Sequence, residues 1–161
     1  FRQGKETMDR GQVAPLCEYL SRLPDGVLIA GPPFVMDDIP LQARRSVLVN
    51  YKLAHPWFSK YYDEVKKRTL MTFEALYAAS TDPINRLHEV YEVNYLVTEN
   101  DAYDADALSD KEIYVEPFNE FIARIIHKNK HFLLANPPAA SIVYRDNRYT
   151  VVKLPLPDEN Q

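Results

Sequence analysis

The sequence predicts an α/β domain, a Rossmann-like three-layer sandwich built on a mainly parallel sheet of about five strands and closed by a C-terminal antiparallel hairpin. Three observations carry this. Short runs dominated by apolar residues occur at Val27-Leu28-Ile29-Ala30-Gly31, Ser46-Val47-Leu48-Val49-Asn50 and Tyr95-Leu96-Val97-Thr98, as expected for strands covered on both faces. Segments of helical periodicity separate them. Near the end, Ser141-Ile142-Val143-Tyr144 and Tyr149-Thr150-Val151-Val152-Lys153-Leu154 alternate around the turn Arg145-Asp146-Asn147-Arg148, the pattern of a hairpin.

In chain order, Leu16, Tyr19, Leu20 and Leu23 recur at helical spacing, with Pro15 suited to a first turn. Pro24-Asp25-Gly26 ends that helix and leads into the first strand. Residues 36–45 read as a short helix or turn opened by Asp37 and Asp38, a brief crossover to a second, parallel strand. The longest helix is expected over Ser59–Ala79, with Tyr62, Val65, Thr69, Phe73, Leu76 and Tyr77 on its apolar stripe. A further helix follows at Pro83–Val93, with Asp82 as N-cap and Pro83 at its first position. After the third strand come an acidic loop over 99–106 and a helix over 117–128 carrying Phe118, Phe121, Ile122 and Ile125. Pro155 and Pro157 end the ordered part, so the core spans about residues 13–154 of a single domain over 1–161.

The 161 residues suit one core, since single domains commonly run to roughly 100–200 residues. The chain is 46% hydrophobic and 26% charged, a globular balance. A net charge of −4 gives no electrostatic pull toward nucleic acid, and none is expected as a partner. Cys17, the one cysteine, excludes an internal disulfide and any multi-cysteine zinc site; on the apolar side of its helix it reads as a buried, inert thiol. No segment approaches the roughly 18 to 20 apolar residues of a membrane span, so the chain is expected to be soluble by itself. Phe1–Glu6 has no apolar signal core and reads like the middle of a larger protein.

In open α/β sheets ligands bind beyond the carboxyl ends of the strands, which directs attention to residues 31–38, 50–55 and 99–106. The first segment holds Asp37 and Asp38, with Arg44 and Arg45 following; His55 follows the second strand. As helix caps and surface ion pairs these residues would be structural. As a polar pocket they would hold a hydroxyl-rich or anionic group. Gly31 stands alone before Pro32 and Pro33, so neither a dinucleotide fingerprint nor a phosphate-cradling Gly-Lys-Ser/Thr loop is present. Asp101, Asp104, Asp106 and Asp110 lack the central glycine and terminal glutamate of a calcium loop and read as solvated. His127 and His131 have i, i+4 spacing without an HExxH motif. No G-x-S-x-G elbow occurs. Many of the tyrosines, including Tyr62, Tyr77, Tyr91 and Tyr95, fall on helix or strand faces that must be buried.

The order of these motifs resembles the soluble C-terminal domain of polytopic C-type glycosyltransferases, of which oligosaccharyltransferase catalytic subunits are the best-known relatives. The resemblance runs from about Val13 to Leu154. It rests on Leu20–Gly31 with its Leu-Pro-Asp-Gly turn, Ala43–Val49 with arginine before a strand, Val93-Asn94-Tyr95-Leu96-Val97, and the closing hairpin over 142–154. Where oligosaccharyltransferases carry a Trp-Trp-Asp-Tyr-Gly acceptor motif, this chain reads Gly31-Pro32-Pro33-Phe34-Val35-Met36-Asp37-Asp38, sharing only an aspartate. The family's metal-binding catalytic acids lie in loops of the membrane portion, so no catalytic residue, cofactor or metal ligand carries over.

The resemblance implies an extracytoplasmic domain, on the periplasmic face of a membrane, that partners the membrane-embedded part of the same polypeptide. It would contact a sugar or lipid-phosphate ligand through Asp37, Asp38, Arg44, Arg45 and His55, orienting it without breaking bonds. The alternatives are a self-sufficient small hydrolase or transferase using Asp37 or Asp38 as base with His55 nearby, or a protein-interaction module.

Overall fold

The computed structural model describes residues 10–52 and 59–157. Its core is a five-stranded sheet of β1 (Leu28–Ala30), β2 (Ser46–Val47), β3 (Tyr95–Glu99), β4 (Ile142–Arg145) and β5 (Tyr149–Lys153). The spatial order is β2-β1-β3-β5-β4. β1 pairs in parallel with both β2 and β3, whereas β5 runs antiparallel to β3 and β4. The α/β class and the closing hairpin are as predicted. The parallel part occupies the first three strands.

Alternation along the central strands sends successive side chains to opposite faces. Ile29, Val97, Tyr149 and Val151 pack with Val13, Leu16, Leu20 and Ile39 on one face. That face is covered by α1 (Arg10–Ser21), α2 (Pro33–Met36) and α3 (Ile39–Gln42). Ala30, Leu96 and Val152 join Phe73, Leu76, Ile84, Leu87 and Ile122 on the other, covered by α4 (Ser59–Leu76), α5 (Thr81–Tyr91) and, after the single turn α6 (Ala105–Leu108), α7 (Phe118–Lys128). Burial on both faces is why the strand sequences carry so little polar residue.

Local details depart from expectation in three places. α1 begins at Arg10, so Pro15 lies inside it and not in its first turn. α5 begins at Thr81 after Ser80 in extended geometry, so Asp82 is a first-turn acid and not the N-cap; its carboxylate still lies at the positive end of the helix dipole. β2 is only two residues long, although Leu48 continues the pairing by donating to the Ile29 carbonyl at 2.8 Å.

Side-chain amides and carboxylates secure the segments between elements. Asn94 Oδ1 accepts from the Leu28 amide at 2.8 Å, while the Asn94 amide donates to the Leu28 carbonyl at 2.8 Å, tying the entry of β3 to β1. Asp146 shapes the hairpin turn: its Oδ1 accepts from the amides of Arg148 and Tyr149 at 2.8 and 2.6 Å, and its Oδ2 from the Tyr144 hydroxyl at 2.6 Å. Between Ile142 and Tyr144 the outer strand shifts register. The free thiol of Cys17, on α1, is buried in the cluster between that helix and the sheet, and that burial, with the nearby charge of Asp38, pushes its pKa up to about 11.

At the carboxyl end of β1 the chain passes very close to its neighbours. A Cβ at Gly31 would lie 2.8 Å from Met36 Cε and 3.1 Å from both Val97 Cβ and the Val97 carbonyl oxygen. The methionine tip can swing away; a central strand cannot. Gly31→Ala should therefore cost about 1–3 kcal/mol, the range for overpacking a well-filled interior, read as a lowered midpoint in denaturant unfolding. Wild-type stability in that variant would show that β1 and β3 are not held this closely.

Candidate functional site

A cavity of about 370 Å³ opens at the carboxyl ends of β1, β2 and β3. Its position follows from the connections. β1 leaves through α2 and α3 on one face of the sheet, and β2 returns to β3 through α4 and α5 on the other. A crevice therefore forms between the adjacent strands β1 and β3, the place where open α/β sheets bind ligands.

One wall is aromatic. Phe34 from α2, Tyr51 after β2 and Tyr114 after α6 pack against one another, with ring centroids 4.8 Å (Phe34–Tyr51), 5.2 Å (Phe34–Tyr114) and 6.3 Å (Tyr51–Tyr114) apart. Phe73 of α4 supports Tyr114 from behind at 5.2 Å. Tyr77 and Tyr103, 6.0 Å apart, contribute a second aromatic surface.

Tyr114 owes its position to Asn119. The buried Asn119 amide accepts from the Tyr114 N–H and donates to the Tyr114 carbonyl, both at 2.8 Å, as a neighbouring strand would. The end of α4 is secured in a similar way. The carbonyl of Leu76, its last residue, and those of the three residues that follow accept from elsewhere: Leu76 from the Tyr103 hydroxyl at 2.8 Å, Tyr77 from Asn129 Nδ2 at 2.7 Å, Ala78 from the Leu133 amide at 2.8 Å and Ala79 from His131 Nε2 at 3.1 Å. With its own proton committed to Leu76, Tyr103 accepts from Thr98 Oγ1 at 2.8 Å. Burial raises the phenol pKa values of Tyr77 and Tyr103, with the carboxylate of Glu99 adding to the effect. Tyr114 is raised by burial and by Asp37. All three stay neutral hydroxyls.

The polar lining is strongly one-sided. Asp37, Asp38, Glu99, Asp101, Asp110 and Glu112 contribute carboxylates, against Lys52 as the only basic residue among the described lining residues. Asp37 Oδ1 accepts from the Lys52 amide at 2.9 Å, and Lys52 Nζ lies 3.9 Å from Asp38. Burial raises the Asp37 pKa more than the Lys52 amide, the Lys52 charge and the Tyr51 amide lower it, and Asp38 adds to the rise.

The sequence-based candidates divide here. Asp37 and Asp38 line the cavity together. Arg44 and Arg45 do not: they precede β2 and lie at the amino ends of the strands. Arg45 instead caps the end of α1, with its guanidinium donating to the carbonyls of Leu23 and Ser21 and lying 3.3 Å from Asp25. A cation is favoured at the negative end of a helix dipole. Arg44 has φ +52° and an exposed side chain, the geometry of a turn residue. His55 lies outside the described residues. The acidic loop, expected to be merely solvated, supplies Glu99 and Asp101 to the lining, while Asp104 and Asp106 are exposed.

In three-dimensional comparison the chain is similar to the C-terminal globular domain of an oligosaccharyltransferase from Archaeoglobus fulgidus, with a TM-score of 0.54 over 86% of this chain and 94% of that one. The identity is 11%, so the likeness concerns the fold, and it agrees with the α/β architecture that the sequence resemblance implied. No family profile and no curated protein matches the sequence. Among the described residues, no helix is long and apolar enough to cross a membrane.

Two outcomes follow from this geometry. Asn119→Ala strips Tyr114 of two buried hydrogen bonds and should destabilise the protein by about 2–6 kcal/mol, given roughly 1–3 kcal/mol per unsatisfied buried group. Hydrogen exchange at the Tyr114 amide should accelerate with it; unchanged exchange would show that the clamp does not hold this segment. The second concerns pH. Because the folded pKa of Asp37 is raised, the folded state gains stability from this group only while it is protonated. That gain is lost as pH rises through the folded pKa. Asp37→Asn, which keeps the acceptor for Lys52, should match wild type below the ordinary aspartate pKa and exceed it in stability at neutral pH. Urea unfolding at both pH values checks this, and a variant less stable at neutral pH contradicts it.

Proposed function

We propose that this chain is the globular domain of a glycosyltransferase-like membrane protein, placed on its extracytoplasmic face against the membrane-embedded part of the same polypeptide. Its cavity binds the sugar of an acceptor or lipid-linked donor and orients it without bond cleavage. One coincidence carries the reading: a fold shared with an oligosaccharyltransferase domain has a cavity at the carboxyl ends of β1 and β3, walled by the segment after β1.

The chemistry of the wall suits a sugar. Carboxylates accept hydrogen bonds from hydroxyl groups, and charge-assisted bonds of this kind are roughly twice as strong as neutral ones. Asp37 and Asp38 serve this role. The exposed ring of Tyr51, backed by the buried Tyr114, offers an apolar surface for the C–H side of a pyranose ring. A cavity of about 370 Å³ falls within the range of roughly 300–1,000 Å³ common for small-ligand sites. Among the described lining residues six carboxylates stand beside one lysine, a balance that would repel a phosphate, so the sugar portion is the part held here, not the lipid-phosphate.

The test is an amide-shift titration of the ¹⁵N-labelled protein with maltose and, separately, farnesyl phosphate. Maltose should move residues 33–38, 98–103 and 110–114, and farnesyl phosphate should leave them unmoved. Shifts confined to other surfaces, or caused by the phosphate alone, would overturn the proposal.

A further inference from the structure

The carboxylates around the cavity are not gathered as a chelate. Among the described residues, no three histidine, cysteine, aspartate or glutamate side chains are grouped so as to hold a metal ion. They come in pairs from three separate stretches: Asp37 and Asp38 between α2 and α3, Glu99 at the end of β3 with Asp101 just beyond it, and Asp110 and Glu112 beyond α6. The opposing Lys52 side chain is 65% exposed and is directed to Asp38, 3.9 Å away. A concave space lined by one sign of charge focuses that charge's field into its interior. A hydroxyl group is indifferent to the sign of such a field, whereas a cation is drawn into it.

The aromatic wall adds a second preference of the same sign. Ring faces attract cations within about 6 Å of their centroids. Tyr51 remains 38% exposed, although it packs on Phe34 and Tyr114, so part of this aromatic residue stays open to solvent at the cavity. Asp37 sits next to these rings, with its Oδ1 fixed by the Lys52 amide.

We propose that the ligand of this cavity presents an ammonium group to Asp37 beside the Tyr51–Tyr114 wall. The inference rests on the cavity being a ligand site, as proposed above, and adds the ligand's charge. An amino sugar and a basic amino-acid side chain share this chemistry: a compact cation next to an apolar C–H surface.

Two matched pairs of probes test it by amide-shift titration of the whole chain: D-glucosamine against D-glucose, and Nα-acetyl-lysinamide against Nα-acetyl-norleucinamide. In at least one pair the cation should bind about tenfold more tightly, the scale of a cation–π contact joined to a carboxylate. The pair that shows the difference identifies the source of the ammonium. Raising ionic strength from about 0.01 M to about 1 M shortens the screening length from about 30 Å to about 3 Å, and should weaken the cation severalfold while leaving its neutral partner unchanged. Asp37→Asn should reduce the preference to near parity without loss of fold, as checked by its thermal melt. Equal affinities within both pairs would overturn the ammonium inference and leave the sugar site standing. No shift in residues 33–38, 98–103 and 110–114 with any probe would overturn both.

Discussion

A buried backbone carbonyl must find a donor, and that requirement at the end of α4 organises the whole carboxyl rim. Four successive carbonyls, from Leu76 to Ala79, reach four different partners on segments separated by long stretches of chain. Each bond is modest on its own, about 0.5–1.5 kcal/mol net, but leaving any one unmade costs more. The stretch holding Tyr103 and the stretch holding Asn129 to Leu133 are thereby pinned to one helix terminus. The same principle recurs with Asn119 on Tyr114, and with Asn85, whose amide brackets the Leu156 backbone at 2.7 and 3.0 Å. Among the described residues, no buried side-chain nitrogen or oxygen lacks a partner. Irregular chain can therefore form a firm wall where the sheet has ended.

Much of the scaffold was legible in the sequence because burial on both faces of a strand leaves a specific mark, a short apolar run without alternation. The hairpin was legible for the opposite reason, since its strands do alternate. Asp37 and Asp38 could be placed because they follow the first such run directly. Arg44 and Arg45 were misplaced by treating the whole β1–β2 connection as one rim. For β2 to lie parallel to β1, the chain must travel back along the sheet before it starts, so only the first half of the connection can line the carboxyl end. The arginines sit in the second half, beside the end of α1.

Tyr114 and Glu112 were invisible for a different reason, and nothing in the sequence singles out Tyr51 within the 50–55 stretch. They lie in irregular segments with no period, and nothing local in the sequence says that Tyr114 faces Phe34, eighty positions earlier. What brings them together is the tertiary requirement described above, through Asn119, whose role cannot be distinguished from that of any polar helix residue until the fold is known. Tyr77 and Tyr103 show the limit of reading aromatics as core: both are largely enclosed, and both also line the cavity.

The outer strands of the sheet have a consequence beyond this site. On one side β2 offers only two residues of ladder; on the other, β4 is broken by a shift of register between Ile142 and Tyr144. Exposed strand edges are templates on which further copies can add, and shortness and bulging are two ways in which natural proteins remove that template. Neither margin of this sheet presents a long, flat row of free amides and carbonyls, so the architecture carries its own protection against open-ended stacking of copies into fibrils.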